Sequence, residues 1–136
     1  MIHHGDTEAR SKLLHEELTE RVIGAAIEVH RALGPGLLES AYEECLCHEF
    51  HLQGISFERQ RPLPVAYKDV KLDCGYRLDL IVENKLILEI KCVERLLPVH
   101  EAQLLTYLKM TGMRVGLILN FNVSILTRGG IVRKVL

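Results

Sequence analysis

Residues 76–92, YRLDLIVENKLILEIKC, decide the fold. Two runs rich in Leu, Ile and Val flank the polar turn Glu83-Asn84-Lys85, the pattern of a β-hairpin. Asp79, Glu89 and Lys91 stand inside those strands, where an ionised side chain is costly to bury. Side chains alternate along a strand, so Glu89 and Lys91 share one face while Ile90 and Cys92 take the other. A loop with an odd number of residues pairs Val82 with Leu86 and sets Asp79 opposite Glu89. A two-residue loop would put the two acids on opposite faces.

The odd register gathers all three charges on one face. Facing carboxylates repel each other, and a cation in the gap relieves the repulsion. Carboxylate oxygens, a backbone carbonyl and water suit Mg²⁺ or Mn²⁺. Lys91, a compact cation beside them, could hold a phosphate oxygen or an attacking water. Together these parts form a recipe for phosphodiester hydrolysis. The alternative is a salt-bridged sheet face open to solvent.

Upstream of the hairpin, Leu14, Leu18, Val22, Ala25, Val29 and Leu33 recur at helical steps, predicting a helix over 9–33 that Gly34-Pro35-Gly36 ends. A second helix is expected over 37–53, with Leu38, Ala41, Tyr42, Cys45 and Leu46 on its apolar stripe and Gly54 as its stop. Strands are expected at 56–67, 70–82 and 86–93. Pro62 and Pro64 restrict the first to a sheet edge or an irregular strand, because proline has no N–H to give the ladder. A third helix over 99–111 precedes a nearly all-apolar strand, 115–121, expected to be buried on both faces. A last strand or hairpin covers 125–126 and 131–136. The order ααβββαββ describes a single mixed α/β domain over 1–136, with 1–8 as a flexible lead-in.

At 136 residues, 48% hydrophobic and 26% charged, the chain has the composition of a globular domain with a core of its own. No apolar run approaches the roughly 20 residues that span a bilayer, and MIHHGDTEARSK lacks the basic-then-apolar order expected of a secretory leader. A cytoplasmic protein with no membrane partner is expected. Cys45, Cys47, Cys74 and Cys92 match no zinc or redox spacing and are expected to be reduced and mostly buried. Residues 1–56 hold 4 Lys/Arg against 10 Asp/Glu, and residues 57–136 hold 13 against 8. That basic back half is compatible with a polyanionic partner and equally with a balance of charge between packed surfaces. His30, His48, His51 and His100 complete no convincing metal set and are expected on the surface or in the core, although His100 could touch phosphate.

Asp79, nine intervening residues and Glu89-Ile90-Lys91 resemble the D…(D/E)xK signature of the PD-(D/E)xK nuclease superfamily. GPGLLESAY, residues 34–42, is similar to the Gly-x-x-Glu-x-x-Tyr motif that names the GxxExxY family within it. VIGAAIEVHRALGPG before it also reads like that family, and VGLILNFN, 115–122, resembles its later strand. Gln103-x-x-x-Tyr107 resembles the helix motif of the superfamily's recombination-exonuclease-like members.

The resemblance implies a restriction-endonuclease-like core, a central mixed sheet flanked by helices. It implies that Asp79, Glu89 and Glu39 hold Mg²⁺ or Mn²⁺ with the Ile90 carbonyl, and that Lys91 is the catalytic lysine. Gln103 and Tyr107 correspond to the supporting pair. The implied activity is metal-dependent hydrolysis of nucleic acid, with DNA the expected substrate. Arg77, Arg95, Lys109 and Arg114 are candidate phosphate contacts, and a homodimer is a natural expectation where one site cuts one strand. The alternatives are a catalytically silent module of the same fold that binds nucleic acid or protein, and a structural subunit dimerising through its C-terminal strands.

Overall fold

The computed structural model describes residues 14–136, so the expected lead-in 1–8 and the start of the first helix lie outside the described residues. Helix α1, Glu16–Leu33, ends at Gly34, whose φ of 68° only glycine adopts freely and whose N–H caps the His30 carbonyl. Helix α2, Glu39–Gln53, stops in the same way at Gly54.

The strands differ from expectation in one respect. The two long strands predicted at 56–67 and 70–82 are each broken in two, giving β1 (Phe57–Pro62), β2 (Val65–Tyr67), β3 (Val70–Leu72) and β4 (Arg77–Val82). Pro62 and Pro64 interrupt the first, and Gly75, at φ 79° with its N–H donating to Asp73 Oδ1 at 2.9 Å, interrupts the second. The inner pieces, β2 and β3, pair only with each other, as a two-stranded ribbon apart from the main sheet. The expected strand at 125–126 is instead turn, and only Ile131–Val135 pairs.

Strand β5 (Leu86–Lys91), helix α3 (Pro98–Thr111) and strand β6 (Val115–Asn120) form a parallel crossover unit, followed by β7 (Ile131–Val135). The five-stranded sheet has the order β1-β4-β5-β6-β7, antiparallel except for β5–β6. Proline-bearing β1 lies on an edge, and β6 is buried along its whole length, both as expected.

Alternation along β5 divides the core. Leu86, Leu88 and Ile90 face α1 and α2, packing with Val22, Tyr42, Leu46 and Phe50. Ile87 faces α3, packing with Leu104, Tyr107 and Leu108. Each fully buried Leu or Ile contributes roughly 1.5–3 kcal/mol relative to exposure. The apolar stripe of α2 differs from expectation: Leu38 and Cys45 are exposed, and the buried face is Tyr42, Glu43, Leu46, Cys47 and Phe50. A glutamate has taken an interior position because polar partners await it there. All four cysteines are free, but Cys45 and Cys74 are exposed, on the outer side of α2 and in the turn before β4.

Candidate active site

The hairpin has the odd loop. Glu83 and Asn84 carry φ of 52° and 56°, the Lys85 N–H donates to the Val82 carbonyl at 3.0 Å, and Val82 pairs with Leu86. The ladder continues through Ile81↔Ile87 to Leu80↔Leu88. Carboxylates take over from there. The Asp79 N–H donates to Glu89 Oε2 at 3.0 Å, and the Ile90 N–H donates to Asp79 Oδ2 at 2.8 Å. Each acid is locked by the backbone of the other's strand, and the two are held close together.

The solvent-open salt-bridged face does not form. Glu89 is only 6% exposed, and no Lys91 ion pair occurs among the described residues. Lys91 is half-buried at the end of β5, near enough for its charge to favour ionisation of both acids. That attraction is outweighed. Burial first, then the charge of Asp79, pushes the Glu89 carboxyl up to about 8. Asp79 is also raised, by burial above all, against the lowering effect of the Ile90 N–H.

Tyr107, in α3, is brought to the same place. Burial and then the charge of Glu89 push its phenol up to about 12, and its ring meets Tyr76 edge-on with centroids 6.3 Å apart. Gln103, one turn earlier in α3, is half-buried on the same helix face. Glu39 opens α2 at the rim: it is exposed, and its Oε1 accepts the Cys92 N–H at 3.3 Å. Tyr42 is a packing residue, stacked on Phe121 with centroids 4.5 Å apart, its hydroxyl donating to the Gly34 carbonyl.

The donor set fits a hard divalent cation. Among the described residues the second oxygens, Asp79 Oδ1 and Glu89 Oε1, accept no hydrogen bond, and no buried side-chain polar atom there is orphaned, so both oxygens reach solvent. Two acids that each have one oxygen held by a backbone N–H and the other turned outward, with no cation in contact among the described residues, are what a metal would complete. Among the described residues no three His, Cys, Asp or Glu side chains already converge as a cage. Surface clefts of about 370 to 600 Å³ lie elsewhere on the protein, one of them lined by Glu94, Arg95 and Leu97 in the loop that follows β5.

The remaining candidates separate by position. Arg77 is exposed two residues before Asp79 in β4, and Arg95 is exposed in the loop leaving the Lys91 end of β5. Lys109 lies in the last turn of α3, which leads away from Lys91 to the opposite end of the sheet. Arg114 is at that opposite end, its Nε donating to the Leu136 carbonyl at 3.2 Å. Two of the four singled-out histidines have structural partners: buried His30 bonds the Val123 carbonyl through Nε2 at 2.8 Å, and half-buried His100 accepts the Leu97 N–H at Nδ1 at 3.0 Å, capping α3. Reasoning from sequence missed Glu43. Its signal was spacing, since it follows Glu39 by one helical turn and adjoins Tyr42.

A family model described as the PD-(D/E)XK nuclease superfamily matches residues 16–134. The chain belongs to the PD-(D/E)XK nuclease superfamily. The five-stranded mixed sheet flanked by helices is consistent with that superfamily's restriction-endonuclease-like fold. No curated protein and no solved structure matches the chain with significance. Nucleases of this superfamily generally use divalent metal ions, and membership implies a nucleic-acid substrate. No helix among the described residues is long and apolar enough to cross a membrane.

Proposed function

We propose that the chain is a Mg²⁺- or Mn²⁺-dependent nuclease of the GxxExxY type that hydrolyses phosphodiester bonds, with DNA as its substrate. The observation that carries this reading is the pair of buried Glu89 and half-buried Asp79, clamped across two strands with, among the described residues, one oxygen of each acid free and no cation in contact. Asp79, Glu89 and the Ile90 carbonyl would hold the ion, with Glu39 reaching in from the rim. The cation supplies Lewis acidity toward the scissile phosphate and neutralises charge that develops on it.

The protein's own groups do the rest. Lys91 holds a phosphate oxygen or orients the attacking water. Tyr107, its phenol raised to about 12, stays protonated at neutral pH and can donate a hydrogen bond toward the acids, with Gln103 beside it. Arg77 and Arg95, on the Asp79 and Lys91 side, contact flanking phosphates. Because one such site cuts one strand, double-strand cleavage calls for two copies, and we propose a homodimer on the substrate.

Purified protein with Mg²⁺ or Mn²⁺ is expected to nick supercoiled DNA, with an RNA of matched length as the competing substrate. Asp79→Ala, Glu89→Ala and Lys91→Ala are each expected to abolish nicking. Activity that survives all three substitutions would end this proposal.

A further inference from the structure

Strand β1 pairs with β4 as Phe57↔Val82, Glu58↔Ile81 and Arg59↔Leu80, and resumes at Arg61↔Leu78 and Pro62↔Arg77. The position skipped is Gln60 against Asp79. Gln60 has φ +50°, a left-handed conformation that a side chain with a Cβ rarely adopts, and least of all within a strand. Alternation slips at the same place. Leu78 packs with Ile81 and Ile87 on the α3 side, whereas Leu80 packs on the α1–α2 side. One strained residue in β1 marks the point where the strand pair rotates, and that point is Asp79.

The strain has a holder. Gln60 Nε2 donates to Glu43 Oε1 at 2.8 Å, and Arg59 donates to Glu43 Oε2 from Nη2 at 2.8 Å and from Nε at 3.3 Å. Glu43 is 8% exposed, and its charge acts on Asp79 more strongly than that of Lys91 or Glu39. A second link from Arg59 Nη2 reaches Glu44 Oε1 at 2.7 Å. We propose that Glu43, Arg59 and Gln60 form a positioning unit for the metal-binding Asp79, pinning the backbone rotation that turns this carboxylate toward Glu89. A conformation this unusual persists only where its surroundings over-determine it, and such sites cluster where function needs a fixed geometry.

This inference rests on the metal-site reading, and one experiment separates the two. Gln60→Gly removes the amide that grips Glu43 while installing the residue that favours positive φ. Its fold should therefore be kept, or even stabilised. Mn²⁺ titration calorimetry and a thermal melt on the full chain are expected to show affinity weakened about tenfold or more, with Tm unchanged or higher. Gln60→Asn, which also tolerates positive φ but whose amide is one methylene too short, is expected to behave alike. Wild type binding Mn²⁺ with both variants within twofold of it would overturn the positioning role. So would lost affinity accompanied by a fallen Tm in both, the mark of a merely structural tie. Wild type failing to bind Mn²⁺ would instead sink the metal site itself, and the positioning role with it.

Discussion

Strand pairs β5–β6 and β1–β4 are of equal strand length and lie in the same sheet, yet they serve opposite ends. The parallel pair runs unbroken from Leu86↔Val115 to Lys91↔Asn120, and β6 is buried at all six positions. The antiparallel pair has a gap at Gln60 and Asp79, a left-handed residue and a slip of side-chain alternation. Regular pairing with apolar side chains maximises burial and ladder hydrogen bonds. The interruption gives up some of both and turns a carboxylate toward a second one. Glu89, on β5, belongs to both pairs' business: its strand is the scaffold, and its side chain faces the irregular neighbour.

The comparison breaks hardest at Glu89. Glu89→Gln is expected to abolish metal-dependent cleavage in a plasmid-nicking assay while raising the stability of the metal-free protein. Burial and Asp79 both disfavour its charge, so a neutral isostere relieves a cost. The gain should grow with pH, because below about 8 the native carboxyl is already mostly protonated. A Glu89→Gln protein that melts lower than wild type at pH 9, both without metal, would show that the charge is better accommodated than its burial indicates.

The scaffold should respond in the opposite sense. Leu117 is fully buried and pairs with Leu88 in the centre of the unbroken ladder. Leu117→Ala is expected to lower unfolding free energy by about 2–5 kcal/mol, measured by urea titration. Its Mn²⁺ affinity should hold under conditions where it remains folded. A large loss of affinity without unfolding would mean that scaffold and site are not separable.

Proton linkage sharpens the comparison next. Glu89 is raised from an ordinary 4.5 to about 8, so between those values the native metal-free protein holds a proton that the unfolded chain has released. Stability of the metal-free protein therefore falls as pH rises through that window. A divalent ion must displace the same proton, so its affinity is expected to climb about tenfold per pH unit toward pH 8 and then level. Calorimetry at several pH values in buffers of different ionisation enthalpy measures both the slope and the released proton. A flat affinity profile from pH 6 to 8 would contradict the burial of Glu89.

Much of this was legible in the chain. The three-residue turn at 83–85 set the hairpin register, and with it the meeting of Asp79 and Glu89, because period-2 alternation leaves no freedom once the loop count is known. The edge position of β1 followed from Pro62 and Pro64. The breaks had local signals in Pro62, Pro64 and Gly75, but the withdrawal of β2 and β3 into a ribbon of their own was not legible, since which strand a residue pairs with is a tertiary choice that local β-propensity does not encode. Glu43 was hidden for a related reason. Hydropathy assigns a glutamate to the outside of α2, and only Arg59 and Gln60, brought from β1 by folding, make an interior place for it.

The smallest expected effect comes from charges of the same kind in a different medium. At the β7 edge of the sheet, Lys134 pairs with Glu101 of α3 at 2.5 Å, with side-chain exposures of 31% and 36%. Water and salt screen such a pair, and two long side chains lose freedom to form it, so the gain is about 0–1 kcal/mol. Lys134→Ala is expected to shift the urea midpoint by no more than that range allows and to leave nicking unchanged. The contrast with Glu89 is one of surroundings rather than chemistry. A loss well above about 1 kcal/mol would show that the β7 edge is held to α3 by this ion pair rather than by the packing of Val132 in the α3-side core.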